Sequence, residues 1–144
     1  MRFGDLGEQE EFWAGEFGEK YTDRNDGKER VASNLALFSE VLSGVQSIDS
    51  VLEIGSNKGL NLSALAALYP RQMKWGIEIN SKAFTELEFN PACDVAIHGS
   101  APSATVSEEF DLLLCKGFLI HVAPEDPPLL YEKIATWAGR YVSC

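Results

Sequence analysis

Apolar positions along this chain fall into two alternating periods. From Lys28 to Leu42, Val31, Leu35, Phe38 and Leu42 recur at spacings of four, three and four, the signature of an amphipathic helix. Ser50 to Ile54 is a short apolar run that ends in Gly55, and it reads as a strand. Leu60 to Tyr69 is rich in Leu and Ala and is stopped by Pro70, which predicts a helix. The alternation then repeats, with a strand over Met73 to Ile79, a helix over Ser81 to Phe89, a strand over Asp94 to His98 and another over Phe110 to Cys115. Pro127 to Ala138 predicts a helix with proline near its start, where the missing donor is tolerated. Arg140 to Cys144 opens a fifth strand. Only Pro102 to Glu108 has no clear pattern.

Strands that are apolar on both faces belong in a parallel sheet covered by helices. Their alternation with helices predicts a doubly wound, Rossmann-like α/β domain over residues 1–144. Ahead of it, Glu8 to Tyr21 puts Phe12, Trp13 and Phe17 near one helical face, although Gly15 and Gly18 weaken the periodicity. Asn25-Asp26-Gly27 signals a turn. The expected organisation is therefore an N-terminal helical segment over 1–45 and a core over 46–144.

Composition narrows the class. With 45% hydrophobic residues the 144-residue chain can bury a core of its own. The net charge of -10, with no run of Lys or Arg, argues against nucleic acid, whose phosphates are met by basic side chains. No apolar run is long enough to span a bilayer, and Met1 to Phe12 is acidic without a secretory core, so a cytoplasmic location is the default expectation. Cys93, Cys115 and Cys144 show no close pair, hence no readable disulfide or metal site; Cys93 and Cys115 are expected as buried thiols.

The informative segment is Val51-Leu52-Glu53-Ile54-Gly55-Ser56-Asn57-Lys58-Gly59, a strand running through a glycine-bracketed turn into a helix. Ligands of open α/β sheets bind at such strand ends. A dinucleotide fingerprint needs glycines where this chain has Asn57 and Leu60, and no Gly-Lys-Ser/Thr follows for a phosphate loop. What remains is an acid followed by Gly-x-x-x-Gly, with Glu53 two residues before Gly55. The plain alternative is that Glu53 is a surface acid and the glycines only make a turn. On the second strand, Glu78 lies 25 residues after Glu53, where a carboxylate can accept both ribose hydroxyls of a nucleoside, next to Ile79. Glu78 serves NAD and other nucleosides equally, so an NAD-binding oxidoreductase stays open as a minor alternative.

This loop looks like motif I of class I S-adenosylmethionine-dependent methyltransferases. The resemblance implies that Glu53 orders the loop and meets the ligand's ammonium end. It also implies that Gly55, Ser56, Asn57 and Gly59 admit the methionine part and ribose, and that the turn at Gly99 and Ser100 meets the adenine. This chain departs from the pattern at Ser100, where an acid is common. His98 reads equally well as an ordinary half-buried strand-end residue.

Strand four leads into Cys115-Lys116-Gly117-Phe118-Leu119-Ile120-His121, beyond the strand end where a methyl acceptor would sit. Methyl transfer depends chiefly on positioning, and a base is needed only for a protonated acceptor. His121 has a suitable intrinsic pKa to be that base or to position the acceptor; its alternative is a loop residue bonded to backbone. Lys116 could pair with an acidic substrate group or a nearby carboxylate, and Asp111, at the strand's start, reads as structural.

Glu8-Gln9-Glu10-Glu11-Phe12-Trp13-Ala14-Gly15-Glu16-Phe17-Gly18, running on through Tyr21 to Arg24-Asn25, joins the glycine loop and Cys115 to His121 in a wider likeness. Together they resemble the pseudaminic acid biosynthesis-associated methyltransferases, which implies S-adenosylmethionine as cofactor and a small, sugar-derived acceptor. It also implies a lid in which Arg24 clamps the methionine carboxylate while Tyr21 and Trp13 exclude water, with Asn25 beside them. Trp13 and Phe17 fit plain core packing as well. The implied fold has seven strands and this chain ends inside the fifth. That raises the expectation of truncation, with pairing of two copies along the exposed edge as the fallback, and leaves a non-catalytic nucleoside-binding remnant as an alternative.

Overall fold

A computed structural model describes residues 6–25 and 27–144; Asp26, in the middle of the expected turn, and residues 1–5 of the N-terminal segment lie outside it. Six α-helices and five strands follow one another among the described residues: α1 Glu8–Ala14, α2 Glu16–Arg24, α3 Gly27–Val41, β1 Ser50–Ile54, α4 Leu60–Leu68, β2 Met73–Glu78, α5 Ser81–Glu88, β3 Val95–His98, β4 Phe110–Leu114, α6 Pro127–Trp137 and β5 Ala138–Ser143. A short 3-10 turn, Leu119–His121, follows β4. The sheet is parallel, in the order β3-β2-β1-β4-β5, so β1 and β4 are central and the chain reverses direction of winding between them.

Alternation along the strands builds two cores. Val51, Leu112 and Leu114 face Phe38, Leu42, Leu62, Leu65 and Leu87 on one side. Leu52, Ile54, Ile77 and Leu113 face Phe110, Leu130, Ile134 and Trp137 on the other. Each such fully buried side chain contributes about 1.5–3 kcal/mol relative to exposure. Asp111 begins β4 and its carboxylate accepts from the Asp49 N–H at 2.6 Å, which locks the start of β4 against β1.

Two expectations need correction. Glu8 to Tyr21 is not one helix: Gly15 is extended and ends α1, and α2 starts at once. Gly18 makes the fold-back feasible, since a Cβ there would lie 1.9 Å from the Trp13 carbonyl oxygen. Cys115 is not a free thiol either; it is disulfide-bonded to Cys144, which β4 and β5 bring side by side. That pairing is invisible to spacing, because 29 residues separate the two cysteines. Cys93 is the free cysteine, half-buried, with burial raising its pKa to about 11.

The N-terminal helices are fastened across the carboxyl ends of β2 and β3. Asn80 is 2% exposed; its side-chain oxygen caps α5 by accepting from the Lys82 and Ala83 N–H groups, while its NH2 donates to the Trp13 and Ala14 carbonyls at 3.1 Å. Asn57 adds a bond to the buried Thr22 hydroxyl at 3.1 Å, and Lys82 an ion pair to Asp23.

Candidate functional site

A cleft opens where β1, β2, β3 and β4 end beneath α1 and α2. The β1–α4 loop forms its floor. Gly55 and Gly59 hold φ of +72° and +81°, and Asn57 holds +48°, a left-handed conformation that Asn tolerates better than most residues. Any Cβ at Gly55 would meet the Phe118 ring at 2.5 Å, so the glycine lets Phe118 close the floor.

The loop's amide donors are turned inward. Gly55 and Ser56 N–H both donate to the Ile77 carbonyl, Gly59 N–H to the Ser56 carbonyl, and Asn57 N–H to the Glu78 carboxylate at 2.7 Å. The other Glu78 oxygen accepts from Asn80 N–H at 2.8 Å. Two backbone donors thus orient this carboxylate at the cleft, while burial raises its pKa.

The sequence-predicted residues divide into two groups. Gly55, Asn57, Glu78, Ile79, Gly99, Ser100, Lys116, Tyr21 and His121 line the cleft together. Glu53, Ser56 and Gly59 do not: they pack behind the loop. Glu53 is 1% exposed, and Asn61 donates to one of its oxygens at 2.5 Å while the other has no partner. Burial lifts its pKa to about 8, and the carboxyl lies beneath the glycine turn. Arg24 is not among the residues lining the cleft. It lies outside the cleft, in a neighbouring groove with Asn25, its guanidinium 5.8 Å from the Phe17 ring centre. His98 stacks on Phe84 at 4.6 Å, with a ring nitrogen 3.2 Å from the Ile79 carbonyl.

Sequence reasoning missed Glu10 and Asp126. Both line the cleft, and Glu10 accepts a hydrogen bond from the Ser100 hydroxyl, so α1 brings an acid to the turn where strand three lacks its own. Nothing in spacing links positions 90 residues apart. Among the described residues, the charged lining is thus three carboxylates, Glu10, Glu78 and Asp126, against the single Lys116. Trp13 stands at the wall, its ring 4.4 Å from His121 and 5.4 Å from Tyr21, with its indole N–H buried and unpartnered. The Asn57 side-chain oxygen is likewise buried and unpartnered. Burial lowers the His121 pKa, so its imidazole is neutral at neutral pH.

No protein-family model matches the chain, and no curated protein matches it by sequence. Solved structures do. The plantazolicin methyltransferase BpumL in complex with SAH superposes with a TM-score of 0.70 at 17% identity, over 94% of this chain and 53% of that one. The fold is a Rossmann-like α/β sheet, shared with these methyltransferase structures. Magnesium protoporphyrin IX methyltransferase from Synechocystis PCC 6803, with bound SAM, gives 0.67 at 15% identity over 96% of this chain and 75% of that one. An amino pentose methyltransferase from Micromonospora echinaspora, SAM-bound, gives 0.66 at 11% identity, over 96% and 55%. The chain therefore spans about half the length of the plantazolicin enzyme.

Proposed function

We propose that the chain binds S-adenosylmethionine in this cleft and transfers its methyl group to a small-molecule acceptor. The charge of the lining carries the reading. Three carboxylates against one lysine suit a ligand with a sulfonium and an ammonium, and would repel a pyrophosphate, for which the loop also keeps no donor at Gly55, Ser56, Asn57 or Gly59. The fold's likeness to methyltransferases crystallised with SAM or SAH supports the same cofactor.

When bound, S-adenosylmethionine would supply an electrophilic methyl carbon for the acceptor's lone pair, with the thioether of adenosylhomocysteine as leaving group. This chain's residues do the rest. Glu78, held by the Asn57 and Asn80 amides, accepts the ribose hydroxyls, and Ile79, Gly99, Ser100 and Glu10 surround the base. Gly55, Asn57 and Lys116 receive the amino-acid end. Trp13 and Tyr21 exclude water, and neutral His121 takes the proton of a hydroxyl or amine acceptor.

The acceptors named for the similar structures are too diverse to transfer: plantazolicin, a magnesium porphyrin and an amino pentose. The sequence resemblance adds a sugar-derived acceptor to the proposal. Isothermal titration tests the cofactor: adenosylhomocysteine should bind the folded protein at micromolar strength and NADH should not compete. No adenosylhomocysteine binding, or its displacement by NADH, would overturn the reading. Binding without turnover on any acceptor would leave the non-catalytic nucleoside-binding alternative.

A further inference from the structure

Beyond the Trp13–His121 wall lies a second, shallower space of about 870 Å³ including its mouth, bounded by α1, α2 and the start of α3. It shares Gln9, Trp13, Tyr21 and His121 with the cleft, so the two meet at these side chains. Its chemistry is opposite in sign. No carboxylate is among its described lining residues; Arg24 and Arg30 supply the charge, and among the described residues neither has an ion-pair partner.

Its wall is aromatic. Phe12 and Phe17 stack at 4.2 Å, Trp13 meets Phe17 edge-on at 5.3 Å, and Phe12, Phe17 and Tyr21 remain 46%, 38% and 37% exposed. This row of rings stands open to solvent beside two guanidinium groups that have no carboxylate partner among the described residues, the Arg24 Nε donating to the Lys20 carbonyl at 3.3 Å. The rings offer flat apolar faces, and the guanidinium groups are forked donors that match a carboxylate.

We propose that this groove binds the methyl acceptor, and that the acceptor is a small molecule carrying a ring face and a carboxylate. The ring lies on Phe12, Phe17 and Tyr21, the carboxylate pairs with Arg24 and Arg30, and the reacting atom points past Trp13 to His121. The inference rests on the methyltransferase reading, because only that reading makes the neighbouring cleft a methyl donor site. A flat aromatic acid and a sugar acid share this chemistry, and the test separates them.

The experiment titrates the full chain, saturated with adenosylhomocysteine, with 2-naphthoate and its neutral analogue 2-naphthamide, and with glucuronate and its neutral analogue glucose. At least one carboxylate should bind about tenfold more tightly than its neutral analogue. Which one does so identifies the ring type. The double variant R24Q/R30Q should abolish that preference while adenosylhomocysteine affinity and the circular-dichroism spectrum are retained. The proposal is overturned if neither carboxylate is preferred, if the preference survives R24Q/R30Q, or if the carboxylate displaces adenosylhomocysteine. Carboxylate binding that responds to R24Q/R30Q in a protein that does not bind adenosylhomocysteine would instead keep the groove and reject the methyltransferase reading.

Discussion

Two spaces meet at the Trp13–His121 wall, and they differ in almost every physical respect. The cleft over the sheet is lined by Glu10, Glu78 and Asp126 and floored by a backbone turn in which the Gly55, Ser56, Asn57 and Gly59 N–H groups already have acceptors. The groove beside it is lined by aromatic rings and by Arg24 and Arg30. One side favours a cation, the other an anion, and the boundary between them is two side chains thick. For a reaction that joins a cationic donor to an acceptor, this separation sorts the two ligands before they meet, because each space repels the other's charge.

The comparison is broken most directly at the boundary. Replacing His121 with Gln should lower turnover of a hydroxyl or amine acceptor by about 10²–10⁴-fold while adenosylhomocysteine affinity holds, read by steady-state kinetics and calorimetry. Wild-type turnover should also fall on acidification as His121 gains a proton. Because burial lowers its pKa from 6.5, that fall lies below the ordinary imidazole range.

Glu53 separates the cleft's lining from its foundations. Below pH 4.5 this carboxyl is protonated whether the chain is folded or not; between 4.5 and about 8 it ionises only in the unfolded chain. Stability should therefore be greatest at the acid end of that window and decline as pH rises through it, by something on the order of 2–4 kcal/mol. Glu53→Gln should flatten the decline in denaturant titrations while adenosylhomocysteine affinity changes little. A large loss of affinity would show that Glu53 reaches the ligand after all.

Glu78 tests the acidic side alone. Glu78→Gln keeps the volume but leaves one acceptor where there were two, and should weaken adenosylhomocysteine by about 1–3 kcal/mol in calorimetry. Carboxylate binding in the groove should not respond. The smallest expected effect is that of salt: raising it from low to high concentration should weaken the groove's exposed guanidinium–carboxylate pairing by less than about 1 kcal/mol and leave the cleft's hydrogen-bonded nucleoside almost untouched.

Legibility followed the range of the interactions. Val51, Leu52 and Ile54 declare a strand, and Gly55 and Gly59 a turn, because period and backbone freedom are local properties. Glu78 was readable because its place at a strand end follows from that pattern. Glu10 carried no such signal: it looks like one acid among several in an acidic helix, and only the fold-back at Gly15 and the anchoring of α1 by Asn80 bring it to Ser100. The place of Arg24 in the neighbouring groove carried no local signal for the same reason, since it depends on how α2 folds back against α1 at Gly15 and Gly18.

The amino-acid sequence alone determined the order of strands and helices, the parallel sheet with its two apolar faces, and the position of a glycine-bracketed loop after the first strand, because periodicity, propensity and glycine conformations act over a few residues. The tertiary structure alone decided that Glu53 lies beneath the loop, that Cys115 meets Cys144, and that acids gather on one side of Trp13 and arginines on the other. Those outcomes depend on contacts between segments far apart in the chain, where burial and charge are set by what packs alongside.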